Sequence, residues 1–169
     1  MANNKIISKI LTSDNIFFQN ILHFFLSTHL IPLKEYSFPY LPKDGELLVS
    51  IKTTSGDILA TKLNELPNPS SKDFIQLSTR ILINGCYEIL KENPINRKVS
   101  PEIMEFFRHI RNASSHNGSF LFIRNEPTKL ARWRNLEIKK DLDKTELFDF
   151  IAIGDIILFL GDIIQEIEN

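Results

Sequence analysis

Between Ser100 and Gly118 the chain reads SPEIMEFFRHIRNASSHNG, with apolar residues recurring every three or four positions. At about 100° per residue, Ile103, Phe106, Phe107, Ile110 and Ala113 gather on one side of a helix, which must be buried against something else. The ends are marked as well. Ser100 is a good N-cap, Pro101 suits the first helical position, and Glu102 and Glu105 stand near the positive end of the helix dipole. Asn117 and Gly118 supply the C-terminal stop.

The opposite side of that helix carries Arg111, Ser115, Arg108, Asn112 and His116. Asn112 and His116 are four apart and share a stripe, with Arg108 a further turn back. Arg111 and His116 are five apart, about 140° around the helix, and flank Asn112 and Ser115. An imidazole is the side chain that gains and loses a proton near neutrality. Beside a guanidinium that never loses its charge, it makes a workable unit for phosphate chemistry. On the residues alone, Arg108 and Ser115 are equally surface positions, and Arg111 and His116 can simply cap or salt-link helix ends. His109, at the side of the core face, reads as structural.

The 169 residues suit one domain with a proper core, and 43% hydrophobic with 24% charged residues is ordinary for a globular chain. A net charge of −1 is no global nucleic-acid signature, so any RNA contact must rest on a local patch. The single cysteine, Cys86, lies in an apolar helical stretch and reads as a small core residue rather than a nucleophile. The apolar stretches at 16–30 and 147–164 are interrupted by polar residues, the second by Asp149, Asp155 and Asp162. Neither reads as a membrane span, and a cytoplasmic, reducing location is expected.

Taken in order, 3–11 reads as a short helix, and Asp14 can cap a second one running to about Leu30, crowded with Phe17, Phe18, Phe24 and Phe25. His23 and His29 on it lack ligands at metal spacing, so no metal site is expected there. Pro32, Pro39 and Pro42 break the helical pattern. Glu46–Thr53 and Ile58–Leu63 then alternate around a Thr-Ser-Gly-Asp turn, which predicts a β-hairpin. Pro67 to Ser70 connect to a helix over Ser71–Asn93, with Ile75, Ile81, Leu82, Cys86 and Leu90 available to the core. Arg80 shares a stripe with Gln76 and Asn84 and reads as solvated surface. Trp133 among Lys129, Arg132 and Arg134 reads as a packed anchor with a wet rim, in preference to a base-stacking platform. The last helix is expected over about Thr145–Ile167, with Asp155, Asp162 and Glu166 as an acidic strip. Either aspartate can pair with an arginine, and the pattern does not choose the partner.

Arg111, the polar Asn112 directly after it, and His116 resemble the motif of the HEPN superfamily: an arginine, four to six residues, then a histidine, late in an amphipathic helix. Ala131–Ile138 followed by Gly154–Asp155 is similar to the downstream part of bacterial HEPN proteins of toxin and phage-defence type. The resemblance covers roughly Lys72 to the C-terminus. It implies a mainly α, HEPN-like helical bundle with the β-hairpin inserted in its first half: one domain over 1–169, with N-terminal helices and hairpin in 1–70 and the motif-bearing bundle in 71–169. It further implies a metal-independent endoribonuclease that uses no cofactor, an antiviral-defence or toxin effector. Arg111, Asn112 and His116 would be catalytic, with Arg108, Ser115 and Asn117 as substrate contacts. HEPN nucleases pair two motif helices across a homodimer, so RNA, a second copy and an antitoxin are the expected partners, and a membrane is not. A non-catalytic RNA- or nucleotide-binding module and a helical protein-interaction domain are the alternatives.

Overall fold

The computed structural model describes residues 15–30, 48–52, 54, 58–62, 71–123 and 126–169. The expected helix at 3–11, the Asp14 cap, the proline-containing stretch 32–47 and the connection 67–70 lie outside them. The described residues are mainly helical, with a two-stranded hairpin in the first half of the chain. Helix α1 spans Phe18–Leu30, strands β1 and β2 span Leu48–Lys52 and Ile58–Lys62, and helix α2 spans Ser71–Glu92. A 3-10 turn at Pro94–Lys98 leads into α3, Pro101–Ser115, the helix of the Arg111 motif. Short strands β3, Arg132–Trp133, and β4, Leu136–Glu137, precede a one-turn α4, Leu147–Phe150, and α5, Ile153–Glu168.

Asn15 provides the cap for α1: its side-chain oxygen accepts from the Phe17 N–H at 2.9 Å and its carbonyl from the Phe18 N–H at 3.1 Å. The helix buries Phe17, Ile21 and Phe24 against α2. The two helices come close at Gly85, where a Cβ would lie 2.6 Å from the Asn20 amide nitrogen. That amide donates to the buried Cys86 sulfur at 3.9 Å. Burial pushes the Cys86 thiol up to about 12, as expected of a core cysteine. The β1–β2 hairpin pairs antiparallel, with Ser50 opposite Ala60.

Helix α2 buries Leu82, Ile83, Cys86 and Leu90, while Ile75 is half-buried. Ile81 does not join them; it is 55% exposed. It lies about 200° round the helix from Ile83, on an outward stripe with Leu77, itself 51% exposed. Helix α3 buries the expected Phe106, Phe107, Ile110 and Ala113, and also His109 and Ser114; Ile103 is half-buried. Ser100 precedes α3 but its side chain makes no capping bond. Its N–H instead donates to the Glu166 carboxylate of α5 at 2.9 Å, and Lys98 Nζ donates to the Ile167 carbonyl at 2.7 Å. The start of α3 and the end of α5 therefore fix each other.

The expected single C-terminal helix is two. Ile151 (φ −134°, ψ 127°) and Ala152 (φ −69°, ψ 150°) are extended, and the helix restarts as the Asp155 and Ile156 N–H groups donate to the Ala152 carbonyl. The break lets Leu147 and Ile151 both be buried while the Phe150 ring meets Phe106 and Phe120, 6.1 and 5.4 Å between centroids. Helix α5 then lies deep in the bundle, with Phe159 set 5.3 and 5.1 Å from the Phe106 and Phe107 rings of α3.

Candidate functional site

Helices α2 and α3 pack side by side, and polar pairs bridge the seam between them. Arg111 of α3 donates through Nη2 to Glu88 Oε1 of α2 at 2.6 Å. One turn further along α3, Ser115 Oγ donates to Asn84 Oδ1 at 2.9 Å. One turn earlier on α2, Arg80 donates through Nε to the Ser114 carbonyl at 2.7 Å. Arg80, Asn84 and Glu88 fall every fourth residue and so form one stripe. From Glu88 back to Asn84 and Arg80 on α2, the partners on α3 move from Arg111 to Ser115 and Ser114, the register of antiparallel helices.

The site residues named from the sequence divide between this seam and the surface beside it. Arg111 is 34% exposed at its side chain and lies over the Tyr87 ring, 5.7 Å from guanidinium carbon to centroid. Its Nη1 also donates to the Asn112 amide oxygen at 3.4 Å, a marginal contact. Its Nε, by contrast, is buried with no hydrogen-bond partner among the described residues. Burial raises the Tyr87 hydroxyl pKa, opposed by the Arg108 and Arg111 charges.

His116 stands just beyond the last turn of α3, where its N–H closes the helix on the Asn112 carbonyl at 2.9 Å. It is exposed, and among the described residues its ring has no hydrogen-bonding partner. Asn117 and Gly118 then turn the chain with left-handed backbones, φ 57° and 83°. Gly118 is suited to that conformation for want of a Cβ. Ser115 and Asn117 are exposed, and Asn112 is half-buried. Arg111, Asn112, Ser115, His116 and Asn117 thus share the C-terminal end of α3, but Arg111 faces α2 whereas the Asn112–His116 stripe lies further round the helix.

Arg108 is engaged elsewhere. It forks onto Glu105 at 2.8 and 3.2 Å, reaches Glu126 at 3.2 Å and lies 3.0 Å from the Nε2 of buried His109. The Glu105 hydrogen bond raises the Arg108 pKa. Burial alone would raise the Glu105 carboxyl, but the hydrogen bond and charge of Arg108, with His109 and Lys129, hold it below its ordinary value. The His109 ring sits edge-on to Phe122, 5.5 Å between centroids. Burial first and the Arg108 charge second lower its pKa. His109 is buried, and Arg108 has Nε and Nη2 engaged by the Glu105 and Glu126 carboxylates.

Trp133 is a buried anchor rather than a stacking platform. Its indole donates to Asp162 Oδ2 at 2.8 Å, and Arg134 donates to both oxygens of that carboxylate at 2.9 and 3.1 Å while lying over the indole ring. Asp162 is thus the aspartate that pairs with an arginine. Arg80 is the seam residue that sequence reasoning set aside as surface. Its position at i−4 and i−8 from Asn84 and Glu88 was legible, but its partner is a backbone carbonyl, which no side-chain pattern announces. Among the described residues no group of three or more His, Cys, Asp or Glu could hold a metal ion. The chain was compared with protein-family models, curated proteins and solved structures, and it matches none of them.

Proposed function

We propose that the C-terminal end of α3 is the working edge of a HEPN-type ribonuclease that cuts RNA without a metal. The observation carrying this reading is the His116 imidazole, exposed and without a partner among the described residues, at the end of the helix that bears Arg111 and Asn112. An RNA strand brings its own nucleophile, the ribose 2′-OH. Its oxygen attacks the adjacent phosphorus, the bond to the 5′-oxygen breaks, and the products are a 2′,3′-cyclic phosphate and a 5′-hydroxyl. One imidazole takes the 2′-OH proton, a second protonates the departing 5′-oxygen, and Arg111 holds the charge gathering on the phosphate oxygens. Asn112 orients the phosphate or the ring through its amide.

Two protons move and each chain offers one histidine here, so the reading calls for two copies. Arg111 and His116 lie about 140° apart around α3, and a second copy would supply a further arginine and imidazole to the same cleft. Leu77 and Ile81 leave exposed apolar surface on the α2 stripe beside Arg80 and Asn84, material for such a contact. The same surface, with Arg111 already held by Glu88, supports the second reading: a helical binding module that engages RNA or a protein such as an antitoxin without cutting.

The test is incubation of labelled RNA with the protein in excess EDTA, beside His116→Ala and Arg111→Ala. Cleavage by the wild type, reduced at least a hundredfold in each variant, is the expected result, the lower end of what a positioned acid–base or charge-stabilising group contributes. Binding without cleavage favours the second reading.

A further inference from the structure

Arg111 is not the sole arginine of the α2–α3 seam, and it is the more encumbered one, since Glu88 already holds it. Arg80 spends Nε on the Ser114 carbonyl, and among the described residues neither of its η nitrogens has a partner. The side chain lies along Gly118, whose added Cβ would be 3.9 Å from Nη1. Ser114 is in the last turn of α3, where carbonyls have no partner within the helix. Satisfying one of them takes a single donor, which any hydrogen-bonding side chain could supply. A guanidinium anchored by Nε and left with both η nitrogens unengaged among the described residues is better matched to phosphate, which it can grip with a fork.

Arg80 is anchored at Ser114 and Arg111 at Glu88, so the two guanidinium groups are held at different points of the seam, Arg80 and Glu88 being eight residues, about 12 Å of helix, apart on α2. We propose that Arg80 is a second phosphate-binding residue of this site, gripping a different phosphate of the same strand. The substrate is then a single-stranded RNA segment laid along the α2–α3 seam, across the Asn84–Ser115 pair. This rests on reading the α3 end as an RNA site. It adds a path for the strand and a minimum length: a mononucleotide is expected to engage one of the two arginines, and a short oligonucleotide both.

The experiment measures binding of a 2′-O-methylated, uncuttable single-stranded hexanucleotide over a range of salt concentrations, with wild type, Arg80→Gln and Arg80→Lys. Losing one phosphate contact lowers the slope of log affinity against log salt by about 0.7, equivalent to about fivefold weaker binding at 0.1 M salt. Arg80→Gln is expected to show both changes. Arg80→Lys is expected to keep the slope but bind more weakly, because a point charge lacks the fork. An unchanged slope in a folded Arg80→Gln overturns the proposal and leaves the Arg111–His116 reading standing. If Arg80→Gln does not fold, wild-type affinity in Arg80→Lys overturns it instead. Failure of the wild type to bind the hexanucleotide at any salt concentration overturns the RNA reading and this proposal together.

Discussion

Glu88 decides how available Arg111 is. The pair is half in solvent, 34% and 39% exposed, so it is worth roughly 0.2–1 kcal/mol. The other Glu88 oxygen lies 3.7 Å from Lys91, a cation that would hold the carboxylate if Arg111 turned to the proposed phosphate. Glu88→Gln is therefore expected to bind single-stranded RNA up to about fivefold more tightly, the affinity equivalent of that energy. Weaker binding, measured by fluorescence anisotropy, would show that Glu88 supports the site rather than competing for it. His109 is the residue whose burial sets a pH dependence. Its folded pKa is lowered from 6.5, so the unfolded chain takes up its proton first as pH falls. Stability contributed by the neutral ring is complete above about 6.5 and is lost from there down through the folded value. A proton on Nε2 would gain Glu105 at 3.4 Å but give up the bond from Arg108 at 3.0 Å. Denaturant unfolding of His109→Gln should be flatter between pH 7 and 5 than that of the wild type; equal slopes would refute this.

At the scale of elements, α3 was legible nearly residue by residue because periodicity, Pro101 and Gly118 all point to one answer. The same approach placed α2 and the β1–β2 hairpin within a residue or two. It joined α4 to α5, since the run from Leu147 onward is apolar throughout and periodicity cannot register a break that buries Ile151 and redirects Phe150. It credited Ser100 with a side-chain cap that is not made; the Ser100 N–H instead donates to Glu166, a residue 66 positions away. It also assigned Ile81 to the core, because an apolar residue beside the inner stripe looks the same in sequence whichever way it faces. The site divides similarly. Arg111, Asn112 and His116 announce themselves by spacing, whereas Glu88, Asn84 and Arg80 matter through the antiparallel register of α2 on α3, which is tertiary information. The β3–β4 corner carries its own prediction. Asp162→Ala leaves the buried Trp133 indole without an acceptor and should cost about 1–3 kcal/mol. That lowers the Tm by several degrees in a chain this size, measurable by thermal unfolding. A change under one degree would mean that the indole finds another partner.

For the whole molecule, the bundle holds a rigid aromatic centre, Phe106, Phe107, Phe150 and Phe159, and leaves one end of α3 in solvent. Among the described residues no helix is long and apolar enough to cross a membrane. A core built this way can hold α3 still while its end makes contacts, and pairing of two copies would bring two such ends together. The proposed cleavage requires that end to perform chemistry on the ribose itself. The most direct measurement compares a labelled RNA with its fully 2′-O-methylated copy in EDTA and identifies the product termini by mass spectrometry. Cleavage of the unmodified strand alone, leaving a 2′,3′-cyclic phosphate and a 5′-hydroxyl, is the predicted result. Cutting of the methylated copy, 3′-hydroxyl ends, or an RNA left intact would contradict it.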